Sequence, residues 1–321
     1  MTDLTIFYVA DIHGSDVCFR KWLNAASFYR ADVLVIGGDM TGKMLLPIYP
    51  AVGHGSGWTT TWKDRELRLE TQREVDDVVR TARNEGTYGF VTTPDEVSEI
   101  RASLDVERAV FSRLKLAALQ EWMDLADDRL AGRAVQAFIM PGNDDPPEID
   151  AVLATARTLR NVQGATTELV PGIWMASRGE STPTPWNTPR ELPDEALGER
   201  VRDVVEALPD GGTTIWNLHM PPHDTGIDRA PRLDAALNIQ YDGSGEPSMV
   251  PVGSRSIRDL IAERQPTIAL HGHIHEGRGR YRIGSTSGFN PGSQYQDGVL
   301  LGLLLRVSAK QGLRHVAFTA G

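Results

Sequence analysis

The chain predicts an α/β fold, on three observations. Short β-rich apolar runs alternate with helix-like stretches along much of its length. Five of these runs stop abruptly at Asp, Asn or His. With 321 residues, 40% of them apolar, it can bury a large core without staples.

The elements follow in order. Leu4 to Ala10 reads as a strand, Ser15 as the N-cap of a helix reaching about Arg30, and Asp32 to Ile36 as a second strand. From Lys43 the texture changes. Residues 47–61 read as a Pro/Gly/Thr loop, and Lys63 to Glu85 and Pro94 to Leu130 as long charged helices, with Thr93-Pro94-Asp95-Glu96 a good helix start. This predicts a helical insertion at 44–133 within a single domain spanning 1–321. Strands resume at Ala134 to Met140, Thr213 to Leu218 and Thr267 to Leu270, and Val299 to Val307 with Leu313 to Thr319 reads as a closing antiparallel pair. Residues 181–194 and 241–253 read as Pro-, Gly- and Ser-rich loops.

Composition removes several classes. Cys18 stands alone, which excludes disulfide scaffolds, zinc ribbons and CxxC redox motifs and points to a reducing, cytoplasmic setting. The longest apolar run, Val299 to Leu305, has seven residues against the ~20 of a membrane-spanning helix. The first residues carry Asp3 and no basic side chain, unlike a secretory signal. A net charge of −10, from 33 basic and 43 acidic residues, with no basic stripe, argues against nucleic acid as partner. Neither a G-x-S-x-G elbow nor a GxxxxGK[ST] phosphate loop occurs.

What remains is the set of strand ends. They deliver Asp11 and His13, Asp39, Asn143, His219, and His273 with His275. In open α/β sheets ligands bind beyond the carboxyl ends of strands. Imidazole, carboxylate and amide oxygen without thiolate suit divalent first-row metals. Two such ions can share one carboxylate and hold both oxygens of an in-line displacement.

The order DIHG, GGD, GND, a downstream His and GHIH resembles the calcineurin-like metallophosphoesterase superfamily, over Asp11 to His275. GHIHEGRG, the NPG at Asn290 to Gly292, PTPWNTPRE and the His-x-Pro-Pro at 219–222 further resemble its Icc-related predicted phosphoesterases. The resemblance implies a four-layer αββα sandwich of two mixed β-sheets. It implies two divalent ions, manganese first, with iron, zinc, nickel or cobalt as alternatives. Asp11, His13 and His275 would hold one ion, Asn143, His219 and His273 the other, and Asp39 would bridge them. The implied activity is hydrolysis of a small phosphoester by a hydroxide between the metals; a phosphomonoesterase and a non-enzymatic scaffold of the same fold are the alternatives.

One position departs from the family pattern. Where GNH is common, this chain has Asp144. An ionised Asp144 lowers the charge of the site, which disfavours dianionic monoesters more than monoanionic diesters. Family members lacking that His tend towards diester hydrolysis, which agrees. Asp144 and His223 are the candidates for general acid, and Asp145 is expected to support a ligating His. His271 is expected to be a strand-end polar residue. Arg178 and Arg190 are expected either to bind phosphate or to form salt bridges, and Trp186 either to pack its loop or to stack a base. The insertion, with 12 basic and 16 acidic residues from Lys63 to Arg133, is expected either to lean over the site as a lid or to build a homodimer.

Overall fold

The computed structural model describes residues 3–51 and 57–321. In chain order, β1 (Asp3–Val9), α1 (Asp16–Phe28) and β2 (Val33–Gly37) come first. Next are β3 (Met44–Pro50), β4 (Trp58–Trp62), β5 (Arg65–Leu69), α2 (Gln72–Asn84), β6 (Thr87–Val91), α3 (Pro94–Ala102) and α4 (Leu104–Leu130). The body resumes with β7 (Gln136–Met140), α5 (Ile149–Leu153), β8 (Leu159–Asn161), β9 (Ala165–Val170), β10 (Ile173–Arg178), α6 (Asp194–Glu206) and β11 (Thr213–Leu218). It ends with β12 (Arg229–Pro231), β13 (Met249–Pro251), α7 (Arg255–Arg264), β14 (Ile268–Leu270), β15 (Gly279–Ile283), β16 (Thr286–Asn290), β17 (Leu301–Ser308) and β18 (Gly312–Ala320).

Two six-stranded mixed sheets dominate, in the orders β18-β17-β1-β2-β7-β8 and β15-β16-β14-β11-β10-β9. In the first, β1, β2, β7 and β8 are parallel neighbours and β17 runs antiparallel to β1. In the second, β10, β11, β14 and β16 are parallel neighbours, with antiparallel strands at both edges. Alternation along the strands builds the layers. Ile6, Tyr8, Val33 and Val35 face Met175, Ile215, Ile268 and Leu270 between the sheets. Phe7, Val9, Leu34 and Ile36 point the other way, to Phe19, Trp22 and Trp122 of α1 and α4. On the far side, Leu197 and Val201 of α6 and Leu260 of α7 cover Trp216 and Ala269. The result is the expected αββα sandwich. Among the described residues, no helix is long and apolar enough to cross a membrane.

The segment 44–133 is not purely helical as expected. It carries a four-stranded sheet, β5-β4-β3-β6, beside α2, α3 and α4. The stretch read as a loop over 47–61 lies partly in β3 and β4; its residues 52–56 fall outside the described residues. The stretch read as helix from Lys63 begins instead with β5, where Arg65, Glu66 and Arg68 around Leu67 and Leu69 keep strand alternation and pair with β4. The helix starts only at Gln72, behind a Thr71–Glu74 capping box. Ser103 breaks the 94–130 helix by capping α4 through its hydroxyl. Leu119, Trp122, Met123, Ala126 and Leu130 form one stripe of α4 and sit in the same core cluster as β1 and β2. In the 241–253 stretch, read as loop, β13 pairs with β12.

Candidate metal centre

Parallel strands set the site. The carboxyl ends of β1, β2 and β7 face those of β11 and β14 across the sandwich, so residues from five distant parts of the chain meet. The turns that carry them are tight. Asp11, His13, Asp39 and His273 all have positive φ, at 56°, 37°, 53° and 67°. Left-handed backbone costs a non-glycine residue about 1–2 kcal/mol, and such strain gathers at functional sites. Two glycines let the sheets approach. A Cβ on Gly38 would strike the His219 ring, and one on Gly142 would strike the Asp39 carboxylate.

The ligand candidates fall into touching groups, two made of the expected ligands and a third of His13, Asp39 and Asp144. Asp11, His13 and His275 offer donor atoms all within 4.8 Å of one another, and so do Asp39, His219 and His273. In the first group the Nε2 atoms of His13 and His275 are 3.0 Å apart, with His275 Nε2 3.6 Å from Asp11 Oδ1. In the second, His273 Nδ1 lies 2.8 Å from Asn143 Oδ1. Asp39 Oδ2 stands between the groups, 3.6 Å from His13 Nε2 and 3.4 Å from His219 Nε2. All seven residues read from the strand ends are therefore brought together. Asp11, His13, Asp39, Asn143 and His219 are buried, and His273 and His275 are partly exposed, His275 at 28% of its side chain.

Supporting contacts orient these groups. His219 Nδ1 lies 2.9 Å from the Gly37 carbonyl, so Nδ1–H donates there and Nε2 is the ring nitrogen that faces the cluster. That Nε2 is buried and has no hydrogen-bond partner. Asn143 Nδ2 donates to Thr188 Oγ1 at 2.9 Å, which turns Oδ1 towards His273; Thr188 in turn donates to Glu191 at 2.6 Å. Buried Asn290 donates to the carbonyls of Gly272 and Ile274, and Ser293 donates to that of Asp11. Residues of the NPG and PTPWNTPRE stretches thus support the donor cluster.

Electrostatics favour a cation here. Burial opposes ionisation of Asp11, yet the facing His219, then His275 and His273, bring its carboxyl down to about 2. Burial likewise opposes a charge on His219, but Asp39 and Asp11 carry it up to about 10. Positive charge is thus drawn between the two carboxylates. His273 is pushed down to about 4, first by burial and then by His219, and His13 is lowered by burial, Lys43 and the other imidazoles. A neutral imidazole is the form that ligates a metal. An orphaned Nε2, two buried carboxylates and oxygen and nitrogen donors without sulfur fit divalent cations.

Several expectations need correction. Asp145 supports no histidine. Its buried carboxylate accepts from the N–H groups of Met40, Thr41 and Gly142 and from the Thr41 hydroxyl, tying the turn after β2 to that after β7. Arg190 and Arg178 follow the expected salt-bridge alternative: Arg190 binds the carbonyls of Asp145 and Pro146 and the Asp150 carboxylate, and Arg178 pairs with Glu180. Trp186 is 66% exposed and does not pack its loop. His271 is the strand-end polar residue expected, buried, with Nδ1 on the Leu218 and Met220 carbonyls and Nε2 on Tyr281. His223 enters no side-chain contact with the cluster among the described residues; its N–H donates to the Ser254 carbonyl and its own carbonyl accepts from Arg258.

Asp144 sits on the rim, its N–H donating to Asp39 Oδ1 at 3.0 Å. Its Oδ2 lies 2.5 Å from Lys43 Nζ, a partner that local sequence does not reveal. The ammonium offsets the carboxylate, so the lower site charge ascribed to Asp144 no longer holds. The sequence does show that Lys43 is one of only five lysines and stands four residues after Asp39.

No family model matches the chain. An uncharacterised protein of Methanocaldococcus jannaschii is 28% identical over 179 residues, 55% of this chain and 67% of that protein. The solved structure of TT1561 from Thermus thermophilus superposes with a TM-score of 0.52 at 13% identity, over 99% of both chains. A second solved chain gives 0.53 at 15% identity, again over 99% of both. Two facing mixed sheets with helices on both outer faces are the overall fold this chain shares with those two solved structures.

Proposed function

We propose that the protein is a metal-dependent phosphoester hydrolase with a two-ion centre, acting on small phosphodiesters. The observation that carries this reading is the buried Nε2 of His219, without a hydrogen-bond partner and set 3.8 Å from Asp11 and 3.4 Å from Asp39, with two groups of donors meeting at Asp39. Asp11, His13 and His275 would hold one ion, and Asn143, His219 and His273 the other, with Asp39 common to both. Bound there, divalent ions supply an acidified water near neutral pH and positive charge for the phosphoryl oxygens.

The chain's own residues do the rest. The Gly37 carbonyl keeps His219 in the ligating tautomer, and Thr188 keeps the Asn143 oxygen inward. The buried site excludes bulk water from Asp11 and Asp39, which strengthens their interactions. A scaffold protein would gain nothing from so many polar groups packed at one edge, where without cations they destabilise the fold. Preference for diesters rests on Asp144 standing where an imidazole would otherwise assist the leaving group. The Lys43–Asp144 pair favours the monoesterase alternative, because it restores positive charge on the rim.

The deciding experiment compares bis(4-nitrophenyl) phosphate with 4-nitrophenyl phosphate as substrates in added Mn²⁺. Turnover of the diester, abolished by a chelator and faster than that of the monoester, supports the reading. Faster monoester turnover overturns the diester preference, and no turnover of either overturns the hydrolase assignment.

A further inference from the structure

The first stem of the insertion brings a cationic side chain, Lys43, to the rim of the donor cluster. Lys43 immediately precedes β3, and its place is set from both sides. The Gly42 N–H donates to Tyr88 of β6 at 2.9 Å, and β3 pairs in parallel with β6 along Met44 to Ile48. From there the ammonium reaches Asp144, whose own N–H is bonded to Asp39 and whose Oδ2 lies 4.0 Å from His13 Nδ1. Lys43 is thus one carboxylate removed from the ligand cluster. Its side chain is 40% exposed, while that of Asp144 is 16% exposed.

The other basic candidates are engaged elsewhere. Arg190 is held by two backbone carbonyls and Asp150, and Arg178 lies beside Glu180. Lys115 of α4 also feels the Asp145 and Asp144 carboxylates, but among the described residues it forms no ion pair with them, and its ammonium lies over the Phe111 ring at 4.3 Å. Acidic side chains predominate on the insertion, so a phosphate entering along it meets repulsion except where a cation faces the rim. Lys43 is such a cation.

We propose that Lys43 is a substrate-binding residue whose ammonium, held by Asp144, takes oxygens of the phosphate group at the rim of the metal edge. This deepens the phosphoesterase reading, and the ligand it names is the phosphate itself. Asp144 then acts as a positioning residue: it orients the ammonium and shares it with the incoming anion. No proton need move, because the ammonium donates hydrogen bonds as a fixed charge.

The test is titration of inorganic phosphate into the Mn²⁺-loaded protein by calorimetry, with metal content measured alongside. Lys43→Met keeps most of the apolar stem, Lys43→Arg keeps the charge, and Lys63→Ala removes a lysine paired with Glu85 elsewhere on the insertion. Lys43→Met should bind phosphate about 10- to 100-fold more weakly at unchanged metal content, the loss expected for one charged hydrogen bond. Lys43→Arg should recover most of that affinity, and Lys63→Ala should match the wild type. On an aryl diester, Lys43→Met should raise KM more than it lowers kcat. Wild-type phosphate affinity in Lys43→Met, an equal loss in Lys63→Ala, or loss of metal from Lys43→Met would each overturn the proposal. So would a wild type that binds no phosphate. A wild type that binds phosphate but hydrolyses no ester removes the hydrolase reading alone, and the Lys43→Met comparison still decides this one.

Discussion

Asn143 shows how much depends on a single hydroxyl. Its amide can point either atom at His273, and the Thr188 hydroxyl, itself donating to Glu191, selects the oxygen by accepting from Nδ2. Thr188→Val keeps the shape and removes that acceptor. It should weaken metal binding about 10- to 100-fold, the range seen when such supporting contacts are lost, and Thr188→Ser should restore it. Competition with a metal-sensitive dye reads both variants. Asp39 carries a larger share, because its carboxylate lies against both donor groups. Asp39→Ala should lose metal from both positions together with metal-dependent turnover. Elemental analysis finding two metals retained would break the bridging assignment. Asp127 of α4 tests pH dependence away from the candidate metal ligands. Burial would raise its carboxyl, but hydrogen bonds from Thr158 and Arg157 bring it below the ordinary aspartate value. A depressed folded value contributes stability above the unfolded value of about 4, and that stability is lost as pH falls through the folded value. Asp127→Asn should cost about 1–3 kcal/mol at pH 7. The difference from wild type in urea melts should shrink towards pH 3.

Among the elements, α4 joins the insertion to the body. Its Trp122 stacks on Phe19 of α1 with ring centroids 4.3 Å apart, and its indole N–H donates to Asp16 at 2.7 Å. Trp122→Ala should cost about 3–5 kcal/mol, measured by urea unfolding, because it opens a cavity in the main core. The same packing predicts what removing the insertion would do. A chain lacking residues 62–131 would lose Leu119, Trp122, Met123, Ala126 and Leu130 from the cluster that covers β1 and β2. It should fail to fold, as circular dichroism and size-exclusion would show, rather than change its substrate range. A folded, monodisperse deletion variant would mean that α4 is dispensable to the core.

For the molecule as a whole, the two carboxylates and four imidazoles at the junction of the sheets predict a stability that rises with bound cations. A ligand that binds only the folded state at a thousand times its Kd adds about 4 kcal/mol. Mn²⁺ should therefore raise the melting temperature in scanning calorimetry and a chelator should lower it, with Asp39→Ala insensitive to both. Identical melting in Mn²⁺ and in chelator would argue against an ion between the sheets.

The sequence by itself determined the α/β class, the strands that end in chemistry and the seven residues gathered there, because strand alternation and an abrupt polar stop are local signals. The pairing of β17 with β18 was legible for the same reason. Strand β5 was not, since its charged residues match an exposed helix as readily as an edge strand, and only pairing with β4 decides between them. Nor were the partners of Asp144, Asp145 and Arg190 legible: Lys43 and the turn after β2 lie about a hundred residues from Asp144 and Asp145 in the chain. Side-chain type and local period are written in the sequence. Which carboxylate meets which amide or ammonium depends on how two sheets and an insertion pack, and that was decided only in the tertiary structure.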